Sequence, residues 1–185
     1  QNLTRMIQYS VDLYSQLETE TGQNVGWIQK GSLSIATTPD RLIHVKRQEA
    51  LAHAYGIEAQ SISAGEATEI WPLMNAEDVL GAVWSPNDGR VSPSDVCAAL
   101  VKAARGLGAK LFEKTGVTGI LTENGRIKGV ETTQGTVMCE AIALCTGLWS
   151  REVGAMAGAE VPVLACEHFY LLTKPIDGIT GNMPT

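Results

Sequence analysis

Aromatic side chains are scarce in this chain. They make up 5% of it, with only two phenylalanines, so a core must be built mainly from aliphatic and small residues. Three histidines are present, and no two stand at metal-ligand spacing. The four cysteines, Cys97, Cys139, Cys145 and Cys166, form no C-x-x-C pair. They read as buried free thiols of a reducing compartment, not as metal ligands or a disulfide framework. Basic charge is in deficit, with 14 Lys and Arg against 20 Asp and Glu, and the densest basic cluster is only His44-Val45-Lys46-Arg47. A net charge of −6 without a basic block excludes a nucleic-acid surface. No apolar run approaches the roughly 20 residues that span a bilayer, and no signal-peptide pattern opens the chain. The expected location is the cytoplasm, or the mitochondrial matrix if the source is a eukaryote. There is also no G-x-G-x-x-G, no Walker loop, no G-x-S-x-G elbow and no H-E-x-x-H.

What is present is an ordinary globular balance, 44% hydrophobic and 18% charged, over 185 residues, enough for one good core or for parts of two domains. The chain opens inside a helical pattern and closes after a turn-rich stretch, so it reads as a piece of a longer protein. Leu3, Met6, Ile7, Val11, Tyr14 and Leu17 share one face of a helix that stops before Gly22. Trp27 to Ala36 alternates like a strand. Thr38-Pro39 caps and starts a second helix running to Gly56. A short strand near 58–62 leads to Ser63-Ala64-Gly65-Glu66, a capping box whose helix must end before Pro72. Val79 to Ser85 is a strand, "SPNDGRVSPSD" is a turn-rich link, and 94–107 is a helix ended by Gly108.

From there the texture changes. Lys110–Lys114, Val117–Thr122, Ile127–Thr132 and Val137–Leu144 read as short strands, with Asn124-Gly125 as a hairpin turn. An apolar run, Ala141 to Cys145, stops at Thr146-Gly147 and is followed by Leu148-Trp149 and a short helix over Ser150–Ala157. The last long strand is Pro162 to Thr173, "PVLACEHFYLLT", which sets Cys166, His168 and Tyr170 on one face. Thr146-Gly147 is either plain punctuation between strand and helix or a stretch stripped of side chains so that a flat ligand can lie close. Asn87-Asp88-Gly89 lacks further ligands at regular spacing, so turn chemistry accounts for it better than a metal.

The order "DGRVSPSDVCAALVKAARGLGAKLFEKTGVTGI", then "GRIKGVETTQGTV", then "AIALCTGLWSREVGAMAGAEVPV" is similar to the D-amino-acid oxidase-like FAD-dependent oxidoreductases, and within them to dimethylglycine and sarcosine dehydrogenases. The resemblance implies a mixed α/β (α+β) fold. Residues 94–158 would be part of a Rossmann-like FAD-binding domain with a β-meander, 1–93 part of an antiparallel substrate or interface domain, and 159–185 the start of its second segment. It implies FAD as cofactor and a small N-methylated amine as substrate, with electrons passing to oxygen or to an acceptor protein. By position in the family pattern, Val117 would touch the adenine part of FAD, and Cys145, Thr146, Gly147 and Trp149 would close over the cofactor. His168 and Tyr170 would face the substrate as catalytic candidates. The family usually reads N-A-A-G where this chain reads Leu144-Cys145-Thr146-Gly147. Two alternatives stay open: an FAD oxidoreductase of a different small substrate, such as a D-amino acid or glycerol 3-phosphate, and a non-catalytic interaction or regulatory module with the same fold.

Overall fold

Helical spacing of apolar residues and a left-handed glycine define the first element. Helix α1 (Asn2–Thr21) ends at Gly22, which sits at φ +63° where a side chain would be strained. The computed structural model describes residues 2–169, 171, 173–179 and 183–184. The chain divides into two units, Gln1–Ala109 with Thr173–Thr185, and Lys110–Leu172.

In the first unit α1 packs on helix α4 (Pro93–Gly106). Leu17, Val25, Val96 and Ala99 are buried between them, with Tyr14, Trp27 and Val91 partly buried around the cluster. Pro93 suits the first turn of α4, where its missing N–H has no partner to lose. Ser92 stands at the N-cap but its side chain makes no cap bond; its N–H donates instead to the Val25 carbonyl, 2.9 Å.

The stretch expected as one strand over 27–36 is two, β1 (Ile28–Gln29) and β2 (Ser32–Ala36). Gly31 breaks it at φ +78°, and a Cβ there would lie 2.0 Å from the Trp84 indole. Strand β1 pairs with β5 (Gly89–Arg90), while β2, β4 (Gly81–Ser85) and β3 (Gln60–Ile62) form an antiparallel sheet with β4 in the middle. Helix α2 (Pro39–Ala54) covers this sheet, burying Val45 with Ala36, Ala59 and Val83. Thr38 caps it, accepting the Arg41 N–H at 3.2 Å. Helix α3 (Ala64–Ile70) carries the full reciprocal capping box between Ser63 and Glu66 and stops before Pro72, as expected.

A carboxylate ties α2 to β3. Glu49 accepts the Ser61 N–H at 2.7 Å and the Ser61 hydroxyl as well. These bonds hold its pKa below the ordinary carboxylate range. Nearby, His53 Nε2 lies 2.6 Å from the Ala59 carbonyl, a structural engagement between α2 and the chain leading into β3.

The second unit is a meander. Strands β6 (Val117–Glu123), β7 (Arg126–Thr132) and β8 (Gly135–Met138) pair antiparallel in sequence order. Asn124 and Gly125, both at positive φ, make the hairpin that joins the first two. Helix α5 (Ser150–Met156) packs beside β6. Its buried Gly154 admits the following chain so closely that a Cβ would meet Val161 at 2.6 Å.

Two expected strands are absent among the described residues and a third is cut short. Lys110–Lys114 is irregular and turns at Glu113-Lys114, with Lys114 at φ +52°. The strand expected over 137–144 ends at Met138, and 139–146 has no ladder. Residues 162–169, 171 and 173 form no strand either. All three stretches carry apolar or β-forming side chains, but a strand exists only where a neighbour takes its backbone hydrogen bonds. Beyond the bond from the Cys139 N–H to the Lys128 carbonyl of β7, 3.0 Å, no strand ladder continues through them among the described residues. The thiols are free as expected, yet Cys97, Cys145 and Cys166 are exposed and Cys139 half-buried, a correction that follows from the same lack of covering strands for the last three.

Gly31→Ala is expected to destabilise the protein by about 2–4 kcal/mol, from the left-handed backbone and the forced shift of Trp84, read as a lower denaturant midpoint at unchanged slope. The Glu49 contribution has a defined sign. Its folded pKa is lowered, so the stabilisation is present above about pH 4.5 and is lost as pH falls through the lower folded value. Urea midpoints measured across the acid range should therefore fall less steeply for Glu49→Gln than for the wild type.

Candidate functional site

The described site residues expected from sequence, Val117, Cys145, Thr146, Gly147, Trp149 and His168, fall in the second unit. Val117 opens β6 opposite Thr132 of β7 and is 41% exposed, so its backbone lies at the rim of the meander where a ligand has access. After β8 the chain is irregular, but its burial alternates: Ile142, Leu144 and Thr146 are half-buried, while Ala141, Ala143, Cys145 and Gly147 are exposed. This period of two presents the small side chains to the open side.

The run ends in a single 3₁₀ turn, Gly147–Trp149, that leads directly into α5. Thr146, at φ −93° and ψ 11°, is followed by Gly147 at φ +55°, a reversal of hand that glycine makes without strain. The Thr146 carbonyl accepts the Trp149 N–H at 3.1 Å, and the Gly147 carbonyl accepts the Ser150 N–H. The Thr146 hydroxyl donates to Ser150 Oγ, 3.1 Å. Nothing lies within 4 Å of where a Gly147 Cβ would stand, and Leu148 and Trp149 are 58% and 64% exposed. Open space over a glycine, bounded by an exposed indole and an exposed leucine, suits a flat, largely apolar group. The residues present therefore fit a flat cofactor such as a flavin.

Of the catalytic candidates, His168 is exposed in an irregular stretch, and the strand face expected to align it with Cys166 is not formed. Tyr170 lies outside the described residues. Asp88 belongs to the first unit, where it accepts the Ser32 hydroxyl and its carbonyl accepts the Gly31 N–H at 2.9 Å, so its engagement is structural. No group of His, Cys, Asp or Glu is arranged to hold a metal among the described residues, and no helix is long and apolar enough to cross a membrane. Two features went unnoticed in the sequence. One is Ser150, whose place four residues after Thr146 is the available signal. The other is a groove of about 460 Å³ in the first unit, lined by Leu3, Ile7, Val11 and Ile57 with Asp12 and Glu58 at its edge; its two sides come from segments far apart in sequence.

The mixed α/β architecture with antiparallel sheets is that of D-amino-acid oxidase-like FAD-dependent oxidoreductases and matches a partial Rossmann-like domain. The chain belongs to the family described as FAD dependent oxidoreductase (DAO), whose model matches residues 1–185. It is 41% identical over 185 residues to the mitochondrial pyruvate dehydrogenase phosphatase regulatory subunit of Mus musculus, covering 98% of this chain and 21% of that protein. It is 41% identical over 174 residues to mitochondrial sarcosine dehydrogenase of Homo sapiens, covering 91% and 19%. In structure it resembles L-proline dehydrogenase from P. horikoshii, with a TM-score of 0.77 and 33% identity over 83% of this chain and 41% of that one. The chain thus spans about a fifth of the length of these curated relatives.

Because Trp149 is exposed and supports no core contact, Trp149→Ala is expected to change unfolding free energy by less than about 0.5 kcal/mol, measured by chemical denaturation without added cofactor. A loss well above that would mean the indole is a packing residue and not a ligand face.

Proposed function

We propose that this chain is the central portion of an FAD-dependent amine dehydrogenase or oxidase acting on N-methylated glycines such as dimethylglycine or sarcosine. The observation that carries the reading is the open Gly147–Trp149 turn beside the meander, in a chain whose whole length matches an FAD-dependent family. Residues 94–158 contribute to the flavin domain, and 1–93 and 159–185 to the substrate side. Val117 offers backbone to the adenine end, and Cys145, Thr146, Gly147 and Trp149 lie along the cofactor. When bound, FAD supplies the acceptor for a hydride equivalent from the carbon next to the amine nitrogen. The protein's share is to orient the amine and keep it unprotonated, because only the neutral nitrogen can donate its lone pair as the C–H bond breaks. His168 and Tyr170 are the groups assigned to accept or share that proton, an imidazole being suited to the task near neutral pH. Electrons then pass to oxygen or to an acceptor protein, and the location in a eukaryote is the mitochondrial matrix.

A second reading has its own support. The mouse relative matched at 41% identity is a phosphatase regulatory subunit by name, which favours a module that keeps the fold for interaction and performs no oxidation.

The visible spectrum of the full-length protein separates the two. Flavin bands, one of them near roughly 450 nm, are expected, and anaerobic dimethylglycine or sarcosine should bleach them, while D-alanine and glycerol 3-phosphate should not. Bleaching by one of the latter pair instead would move the substrate class. A colourless protein that takes up no added FAD would overturn the enzyme reading and leave the regulatory module.

A further inference from the structure

We propose that the hydroxyl pair Thr146–Ser150 holds the Gly147–Trp149 turn in the shape that receives the cofactor, which makes Ser150 a positioning residue of the flavin site. The proposal rests on the assignment of residues 145–149 to FAD. Its basis is how little else fixes this turn. Nothing stands within 4 Å of the Gly147 Cβ position, and the tip residues Leu148 and Trp149 are exposed, so no tertiary packing holds the tip. Two backbone bonds cross it, Trp149 N–H to the Thr146 carbonyl and Ser150 N–H to the Gly147 carbonyl. The side-chain tie is the third, and it joins the first residue before the turn to the first residue after it, 3.1 Å between the two oxygens.

A threonine or serine at a helix start ordinarily accepts a backbone N–H two or three residues on. Neither residue does so here. Thr146 makes no side-chain cap bond for the turn, and Ser150 is the opening residue of α5 with its oxygen turned back to Thr146. Both are half-buried, so water competes only partly for the two hydroxyls. The oxygens are therefore used to close the turn and not to cap the helix. Without the tie the turn samples other shapes, and binding must then order it, which weakens affinity without removing a contact.

The test is equilibrium FAD titration of the full-length apoprotein, followed by flavin absorbance and fluorescence. Ser150→Ala and Thr146→Val should each bind FAD about fivefold more weakly, the size expected from one neutral hydrogen bond. Ser150→Thr, which keeps the hydroxyl, should stay within about twofold of the wild type. The double variant should bind no more weakly than either single one, since both remove the same tie. Unchanged affinity in Ser150→Ala, or additive losses in the double variant, would overturn the proposal. So would a loss of FAD binding matched by a lower melting temperature of the Ser150→Ala apoprotein, which would assign the pair to stability alone. A wild-type protein that takes up no FAD overturns the underlying assignment instead, and is told apart by affecting every variant equally.

Discussion

The indole of Trp84 lying across Gly31 is the contact on which the first unit's layout depends. Trp84 sits on the central strand β4, paired with Leu33 of β2 on one side and Gln60 of β3 on the other. Its ring occupies the space a Cβ at position 31 would need, and the chain can pass only because that residue is glycine in a left-handed conformation. The break at Gly31 ends the pairing of β1 with β5 and begins that of β2 with β4. Asp88 then secures the junction from the opposite side, bonding both Gly31 and Ser32. One bulky side chain over one missing side chain thus decides where two small sheets meet.

The second unit follows a different rule. Its three paired strands are neighbours in sequence, so every ladder partner comes from the adjoining strand of the same hairpin. Where the next partner would have to come from elsewhere, the backbone is irregular. The candidate site lies at that boundary, in the run from Ala141 through Cys145 and the turn that follows. Access for a flat ligand and absence of strand pairing are here two aspects of the same stretch.

Much of this was legible in the sequence. The helices of both units are marked by apolar spacing, by Thr38 and Ser63 at caps and by Gly22 and Gly108 at ends, because these signals are local. Asn124-Gly125 announced its hairpin for the same reason. The failures share one cause. Lys110–Lys114, 139–146 and 162–173 carry strand-like side chains, but pairing is a property of two segments and only one of them can be read in a propensity. The break at Gly31 was hidden because the residue that forces it, Trp84, is more than fifty positions away. In the site, the small residues at Thr146-Gly147 were visible as a pattern, whereas the tie to Ser150 depends on how the hydroxyls are turned. His168 and Tyr170 were named through the resemblance to a substrate-facing strand, and no strand is formed at His168.

The meander also bears on the order in which the chain acquires its structure. Strands β6, β7 and β8 are joined by two-residue connections, Asn124-Gly125 and Thr133-Gln134, so their contacts close over very short loops. Short loops cost little entropy and hairpins of this kind form in about 1–10 μs, whereas β1–β5 and β2–β4 must each bring together segments some fifty residues or more apart. The meander is therefore expected to form on its own and early, within the second unit, ahead of the longer-range pairings inside the first.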